Sequence, residues 1–513
     1  MLVIATAWAW RLAAKRSLSG VLFAATVALP LGMVSVGTLF VCVKMDLQWS
    51  WSGCRLAPAL GMLKGFPLYS PADHGPINGW LYGPIPAFCW LPAGLCATPI
   101  AALRVAESLN ALLLICPIFA ACLLSAGAVF SQRVLAIWCA IGAASALICF
   151  YPTWYMTAVL TADATAAGLG MVGCVLLSGN QAGRGRLVLA AAATAAAIWS
   201  KQIAAPLAVV QVLWLALSGR RSLIPRYLCC LILFVAGMGF VFVALFGAAN
   251  MYFNMWVIPT SQFLVGGWPL ALERAGIFAL TTLPVLAIWL WAWMEKRRRG
   301  AGEDGTGGVP ILFLATVLML PVGIAASMKI GGDQNSMHSY YFVIAGAAVT
   351  VASLAGKRPE VYASAALLLG AMGLVSAVYE APRRPVIGNM PRWDKNEAAF
   401  DFARSRPGES YFPWDPLATL LAENRFYHFE YGVQDRIYAG REPGPRQLAE
   451  GLPAHLKKII YPMPNMTGLM VKLVQPYIRE SAPGPWTIYY YDGIPAPILD
   501  AIARIPPLTP PRP

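Results

Sequence analysis

Polar residues capable of chemistry fall at a few points in an otherwise apolar sequence. Asp46 stands in VKMDLQWSW and Asp163 in LTADATAAG; Lys201 and Gln202 stand in AAIWSKQIAAP; Asp333, Gln334, Asn335 and His338 share MKIGGDQNSMHSYYF. A carboxylate can take up a proton, and an ammonium or imidazole can hold an anion. Inside a lipid span, a carboxylate or ammonium costs roughly 2.5–3.5 kcal/mol on insertion scales, so each position needs a reason. Plain structural reasons exist for all of them. Asp46 can cap the interface beside Lys44, Asp163 can cap its helix by meeting free backbone N–H groups, and Lys201 can reach its ammonium to the headgroups. His338 can be a structural loop histidine. Asp73 and His74, in the turn-like SPADHGPING, can be simple surface, and Arg104 can anchor a helix end.

These residues have to be positioned by membrane helices. The chain is 58% hydrophobic and 12% charged, against roughly 25% charged in ordinary globular domains. Apolar stretches recur from Gly20 to about Val378, several longer than the ~18 residues that span a bilayer core. We therefore expect a polytopic α-helical membrane protein, with spans near 18–43, 104–128, 134–150, 164–179, 187–200, 203–218, 227–246, 274–294, 309–328, 339–356 and 361–379, about eleven in all. Before Glu380 there are 22 Lys/Arg against 10 Asp/Glu; from Glu380 onward the balance is 16 against 14. The excess sits in short links: Arg11, Lys15 and Arg16; Arg184 and Arg186; Arg220, Arg221 and Arg226; Lys296 to Arg299; Lys357 and Arg358. That is the positive-inside distribution, not the single basic face of a nucleic-acid binder. With the N-terminus inside, the 44–103 loop and the region after Glu380 lie outside, and Asp46, Asp163, Lys201 and the 333–338 cluster all reach that outer face.

The run 83–101 (GPIPAFCWLPAGLCATPIA) is apolar enough for one more crossing. That crossing would send the basic links outside. Pro84, Pro86, Pro92 and Pro99 instead suit short helices lying at the interface. The Arg11–Arg16 cluster precedes a run longer than a signal peptide's, so we expect an uncleaved first span. The cysteines lie mostly in apolar runs, without zinc spacing, which predicts neither a disulfide framework nor a structural metal site.

Residues 380–513 are a different material, rich in turns and balanced in charge. Strand-like runs appear at 457–464 and 486–492, and helical patterns near 396–404 and 416–424. We expect a small α/β or α+β extracytoplasmic domain with a proline-rich tail, set against a transmembrane domain over 1–379.

In order, these pieces resemble the GT-C superfamily of multi-span glycosyltransferases, in particular the group of aminoarabinose transferases and protein O-mannosyltransferases. Asp46 matches the acidic residue that follows the first span there. GMLKGFPLY (61–69) and LYGPIPAF (81–88) resemble the two elements leading into interfacial helices, and Arg104 in ALRVAESLN matches an arginine opening the second span. TADATAAGLGMVG resembles the second outer aspartate at Asp163, SKQ at 200–202 a Lys-Gln pair, and GGDQNSMHSYYF (331–342) a late outer loop that contacts the donor. The resemblance covers about the first 350 residues, plus an outer C-terminal domain. One departure is that many members carry adjacent acidic residues at the first site, whereas Leu47 follows Asp46. The sequence implies no metal and leaves a divalent ion open.

This resemblance implies transfer of a sugar from a polyprenyl-phosphate carrier to a glycan, lipid or protein acceptor, with inversion at the anomeric carbon. The attacking hydroxyl must lose a proton, which calls for a carboxylate base, and the departing phosphate calls for cations. By the resemblance, Asp46 is the base, with Asp163 orienting the acceptor or supporting the base. Lys201, Gln202, Arg104 and His338 are expected to hold the donor phosphate; Tyr69, Asp73, His74, Tyr82, Asp333, Asn335 and Tyr340 are expected around the cavity. Two other readings stay open. A lipid-linked sugar flippase or polysaccharide polymerase should show inverted repeats or charges spread through the membrane depth. A non-catalytic subunit would need no cluster of ionisable groups at one face.

Overall fold

The computed structural model describes residues 49–126, 130–178, 183–262, 264, 266–298, 310–329, 332, 334–353, 394–461, 478–481 and 487–490. The expected spans 18–43 and 361–379 lie outside these residues, as do Asp46 and Asp333. Helix α1 (Trp49–Met62) precedes a loop and the short α2 (Ile85–Trp90), which runs into a 3-10 turn over Leu91–Leu95. The prolines of the 83–101 run thus break it into short pieces. Thr98, whose hydroxyl accepts from the Ala101 N–H at 3.4 Å, and Pro99 at the first helical position then start α3 (Pro99–Ser125).

An apolar bundle follows: α4 (Phe130–Cys149), α5 (Tyr151–Ala158), α6 (Ala162–Ser178), α7 (Arg184–Ile198), α8 (Pro206–Leu217) and α9 (Ile224–Phe246). A bent connection over 248–261, α10 (Ala248–Tyr252), a π-turn and α11 (Ile258–Ser261), leads to α12 (Gly267–Arg298), α13 (Ile311–Ser327) and α14 (Ser339–Ser353). Pro99–Ser125 and Arg221–Phe246 are long and apolar enough to cross a membrane unaided, and Gly267–Leu283 with Val285–Met294 would make a further span bent by 54°. The break in that helix is at Pro284 in the sequence, where a proline costs a ladder hydrogen bond. Helix α6 packs against α7 and α3, and α14 against α4, α12 and α13. A Cβ at Gly168 would stand 2.1 Å from the Leu113 carbonyl oxygen, so only glycine lets α6 approach α3 that closely.

Residues 394–461 add α15 (Asp394–Ser405), α16 (Pro416–Glu423), α17 (Glu430–Tyr438) and α18 (Pro445–Glu450). Strands β1 (Ser410–Tyr411), β2 (Lys458–Tyr461), β3 (Ile478–Ser481) and β4 (Thr487–Tyr490) form a sheet in the order β1-β2-β4-β3, with β1 parallel to β2 and the other pairs antiparallel. These elements share their core with the first loop. Leu56, Leu60, Trp80 and Trp90 pack with Leu417, Leu420 and Phe426, while Ile77 packs with Tyr411, Val433 and Ile459. The Trp80 and Trp90 rings meet edge to face at 5.8 Å, a pair worth about 0.5–1.5 kcal/mol beyond its area.

Polar locks hold the loop over 70–78. The buried Arg436 guanidinium donates to the carbonyls of Ser70 (3.3 Å), Pro71 (2.8 Å) and Ala72 (3.0 Å). Burial lowers its pKa to about 10, which still leaves it charged at neutral pH. His428 accepts the Ile77 N–H at Nδ1 (3.0 Å) and donates from Nε2 toward the Gln447 and Leu448 carbonyls. Burial lowers its pKa to about 4, keeping Nδ1 an acceptor.

Candidate active site

A cavity of about 560 Å³ opens where α1, the loop over 78–82, the turn at 201–203, the bend over 255–262, the end of α13 with residues 332–336, and α17 converge. The turn after α7 supplies its best-defined group. Lys201 has extended backbone after the helix ends at Ile198, and its Nζ donates to Asp163 Oδ1 (2.7 Å), Asp163 Oδ2 (2.8 Å) and Ser336 Oγ (3.2 Å). Asn335 Nδ2 donates to Oδ2 and His338 Nε2 to Oδ1, each at 2.8 Å. An ammonium has three donors, so the longest of the three bonds, to Ser336, is the one a ligand oxygen would replace at least cost. Three separate sequence segments therefore meet on one carboxylate.

Asp163, in the first turn of α6, does not cap it; the Thr161 hydroxyl accepts from the Ala164 N–H instead. The Asp163 carboxylate is buried beneath Lys201 and is not part of the cavity wall, whereas Lys201, 12% exposed at its side chain, is. Tyr82 faces the same space, with the Lys201 ammonium 5.5 Å from its ring. The neighbouring Gly83 makes this approach sterically feasible. Its N–H donates to the Ser200 carbonyl at 3.2 Å, and a Cβ there would fall 1.6 Å from the Trp199 carbonyl oxygen. Gln202 lines the cavity too, and its amide straps the Leu81 and Met255 carbonyls at 3.3 and 3.1 Å.

The remaining expected residues lie elsewhere. Tyr69 is buried behind the wall, its hydroxyl donating to the Tyr82 carbonyl at 2.7 Å, so it braces Tyr82. Tyr340 is packed between Phe150 and Phe278, with ring centroids 4.9 and 4.8 Å away. Asp73 and His74 pair with each other at 2.7 Å on the surface, 87% and 64% exposed. Arg104 is exposed on α3 and does not line the cavity. A helix rotation of one residue moves a side chain by about 100°, which spacing along the chain does not reveal.

Several wall residues carried too little signal to be singled out. Arg55, on α1, donates from Nη1 to the Leu160 carbonyl at 2.6 Å and lies 5.4 Å from the Trp51 ring. Lys329 donates to the Pro259 carbonyl at 2.7 Å. Asp435, on α17, accepts from Gln262 Nε2 at 2.7 Å. A lone arginine in the apolar WSWSGCRLAPALGM was the most readable of the three. Among the described residues, no group of three or more His, Cys, Asp or Glu is placed to share a metal ion.

No family model matches the sequence, and no curated protein matches it. The architecture is similar to solved structures of ArnT from Cupriavidus metallidurans. The crystal structure bound to undecaprenyl phosphate superposes with a TM-score of 0.55 at 11% identity, covering 91% of this chain and 98% of that one. For the apo crystal structure the TM-score is 0.53, with the same identity and coverage. The chain therefore shares the overall fold of these two structures, and its apolar helices suit a polytopic membrane protein.

Proposed function

We propose that this protein transfers a sugar from a polyprenyl-phosphate carrier to an acceptor hydroxyl, at a site on the extracytoplasmic face of a bacterial inner membrane. The observation that carries the reading is the Lys201 ammonium, held at the cavity wall by a buried carboxylate inside a fold similar to that of ArnT. Arg55 and Lys329 add positive charge to the same walls, which suits a phosphate that gains negative charge as it leaves. The acceptor hydroxyl attacks the anomeric carbon from the face opposite the phosphate. Its proton passes to Asp46, the bond from that carbon to the phosphate oxygen breaks, and the configuration inverts. Asp163 serves this step by fixing Lys201. A similar fold crystallised with undecaprenyl phosphate supports the choice of carrier.

Lys201→Met keeps most of the apolar stem and removes the charge. The donor dissociation constant should rise by about tenfold to hundredfold, the usual range for a lost charge-assisted hydrogen bond, and the acceptor constant should change little. Donor titration in nanodiscs with product detection decides it. An unchanged donor constant rejects the phosphate role. Carrier translocation without a glycosylated product, across a broad acceptor panel, favours a flippase.

The sidedness rests on the basic links. Single cysteines placed in 44–103 and in 380–513, on a thiol-free background, should label from one side of sealed vesicles, and cysteines in 296–299 from the other. Labelling of 296–299 together with 380–513 from one side overturns the topology.

A further inference from the structure

The cavity also holds an acidic group, on α17, beside the aromatic and cationic face that α1 presents. On α1, Trp51 and Arg55 are four residues apart; on α17, Tyr431 and Asp435 are four apart as well. Each pair lies on one helix face, and all four side chains line the cavity. The Trp51 and Tyr431 rings meet edge to face at 4.7 Å. Asp435 is 4% exposed. Its Oδ1 accepts from the Gln262 amide, and its Oδ2 takes no donor among the described residues. The adjacent Arg436 makes no bond to Asp435; its Nη atoms donate to the carbonyls of Ser70, Pro71 and Ala72 and to Gln447 Oε1. Burial accordingly raises the Asp435 pKa to about 7. A carboxyl that costs the fold this much, with an oxygen unmatched at a cavity wall, is more easily explained by a ligand than by packing.

We propose that Asp435 and Tyr431, facing Trp51 and Arg55, form a subsite for a polyhydroxylated sugar ring. The aromatic rings take the ring's C–H face, and Asp435 Oδ2 accepts from a ring hydroxyl. Gln262 holds the carboxylate in place. This rests on the glycosyltransferase reading and adds to it the residues that distinguish a sugar-bearing carrier, or a sugar acceptor, from the bare carrier. Lys201 and Asp435 thereby divide the cavity, phosphate at one wall and ring at the other.

The test uses the full chain in nanodiscs, titrated calorimetrically with undecaprenyl phosphate and with undecaprenyl phosphate bearing glucose, mannose or galactose. Methyl glycosides of the same sugars serve as soluble acceptors. The parent should bind at least one sugar-bearing carrier more tightly than the bare one. Asp435→Ala should weaken that binding by about tenfold to hundredfold and leave bare-carrier affinity at the parent value, which also reports that the variant is folded. Asp435→Asn, which keeps one acceptor oxygen, should lose less. If the ring bound is the acceptor's, the donor constant stays and the acceptor KM rises by that factor. Donor and acceptor constants both at parent values in Asp435→Ala overturn the subsite while leaving the transferase reading intact. A parent that neither prefers sugar-bearing carriers nor transfers sugar overturns the reading and the subsite together.

Discussion

Asp163→Ala is expected to destabilise the protein by about 3–5 kcal/mol, the range for removing one partner of a buried ion pair. The carboxylate receives two bonds from Lys201 and one each from Asn335 and His338, all between 2.7 and 2.8 Å. Its loss strands three donors and frees the segment over 334–338 from the start of α6. Because Lys201 opens on the cavity and can turn toward it, the lower half of that range is the better expectation. A double-mutant cycle separates the pair from its surroundings: Asp163→Leu with Lys201→Met should cost less than the sum of the two single changes. Unfolding in mixed detergent and denaturant gives both quantities. A loss below about 1 kcal/mol, typical of an exposed pair, would show that the cluster does not hold the cavity together.

Asp46→Asn should lower the rate of sugar transfer by about 10²–10⁴-fold, the usual contribution of one positioned general base, with expression and donor binding near normal. The substitution keeps size and polarity and removes only the ability to take the proton. Asp46 stands three positions before α1, the helix that brings Trp51 and Arg55 to the cavity. Single-turnover transfer in reconstituted membranes is the measurement, since it separates chemistry from carrier exchange. Transfer at the parent rate would remove Asp46 from the mechanism and turn attention to Asp435, the one Asp or Glu side chain among the described residues that lines the cavity.

The bundle's elements were legible in the sequence because lipid imposes a local rule. Every apolar run long enough to cross must close its own backbone hydrogen bonds, so helices α3, α4, α6–α9 and α12–α14 fall where the hydropathy places them. Prolines broke the 83–101 run into α2 and a 3-10 turn for an equally local reason. Asp163, Lys201, Asn335 and His338 stood out because polar groups are costly among apolar neighbours. Their partnership did not. Whether Lys201 reaches headgroups or a carboxylate 38 residues earlier depends on how α6 and α7 rotate against each other, and only packing sets that angle. In the same way, the packing of α14 took Tyr340 into an aromatic stack and that of α3 left Arg104 outside the cavity. Asp435 carried no signal because acidic residues are common in the turn-rich region after Glu380. Only the fold, by docking α17 against the first loop and the 255–262 bend, buried that carboxyl and made it worth explaining.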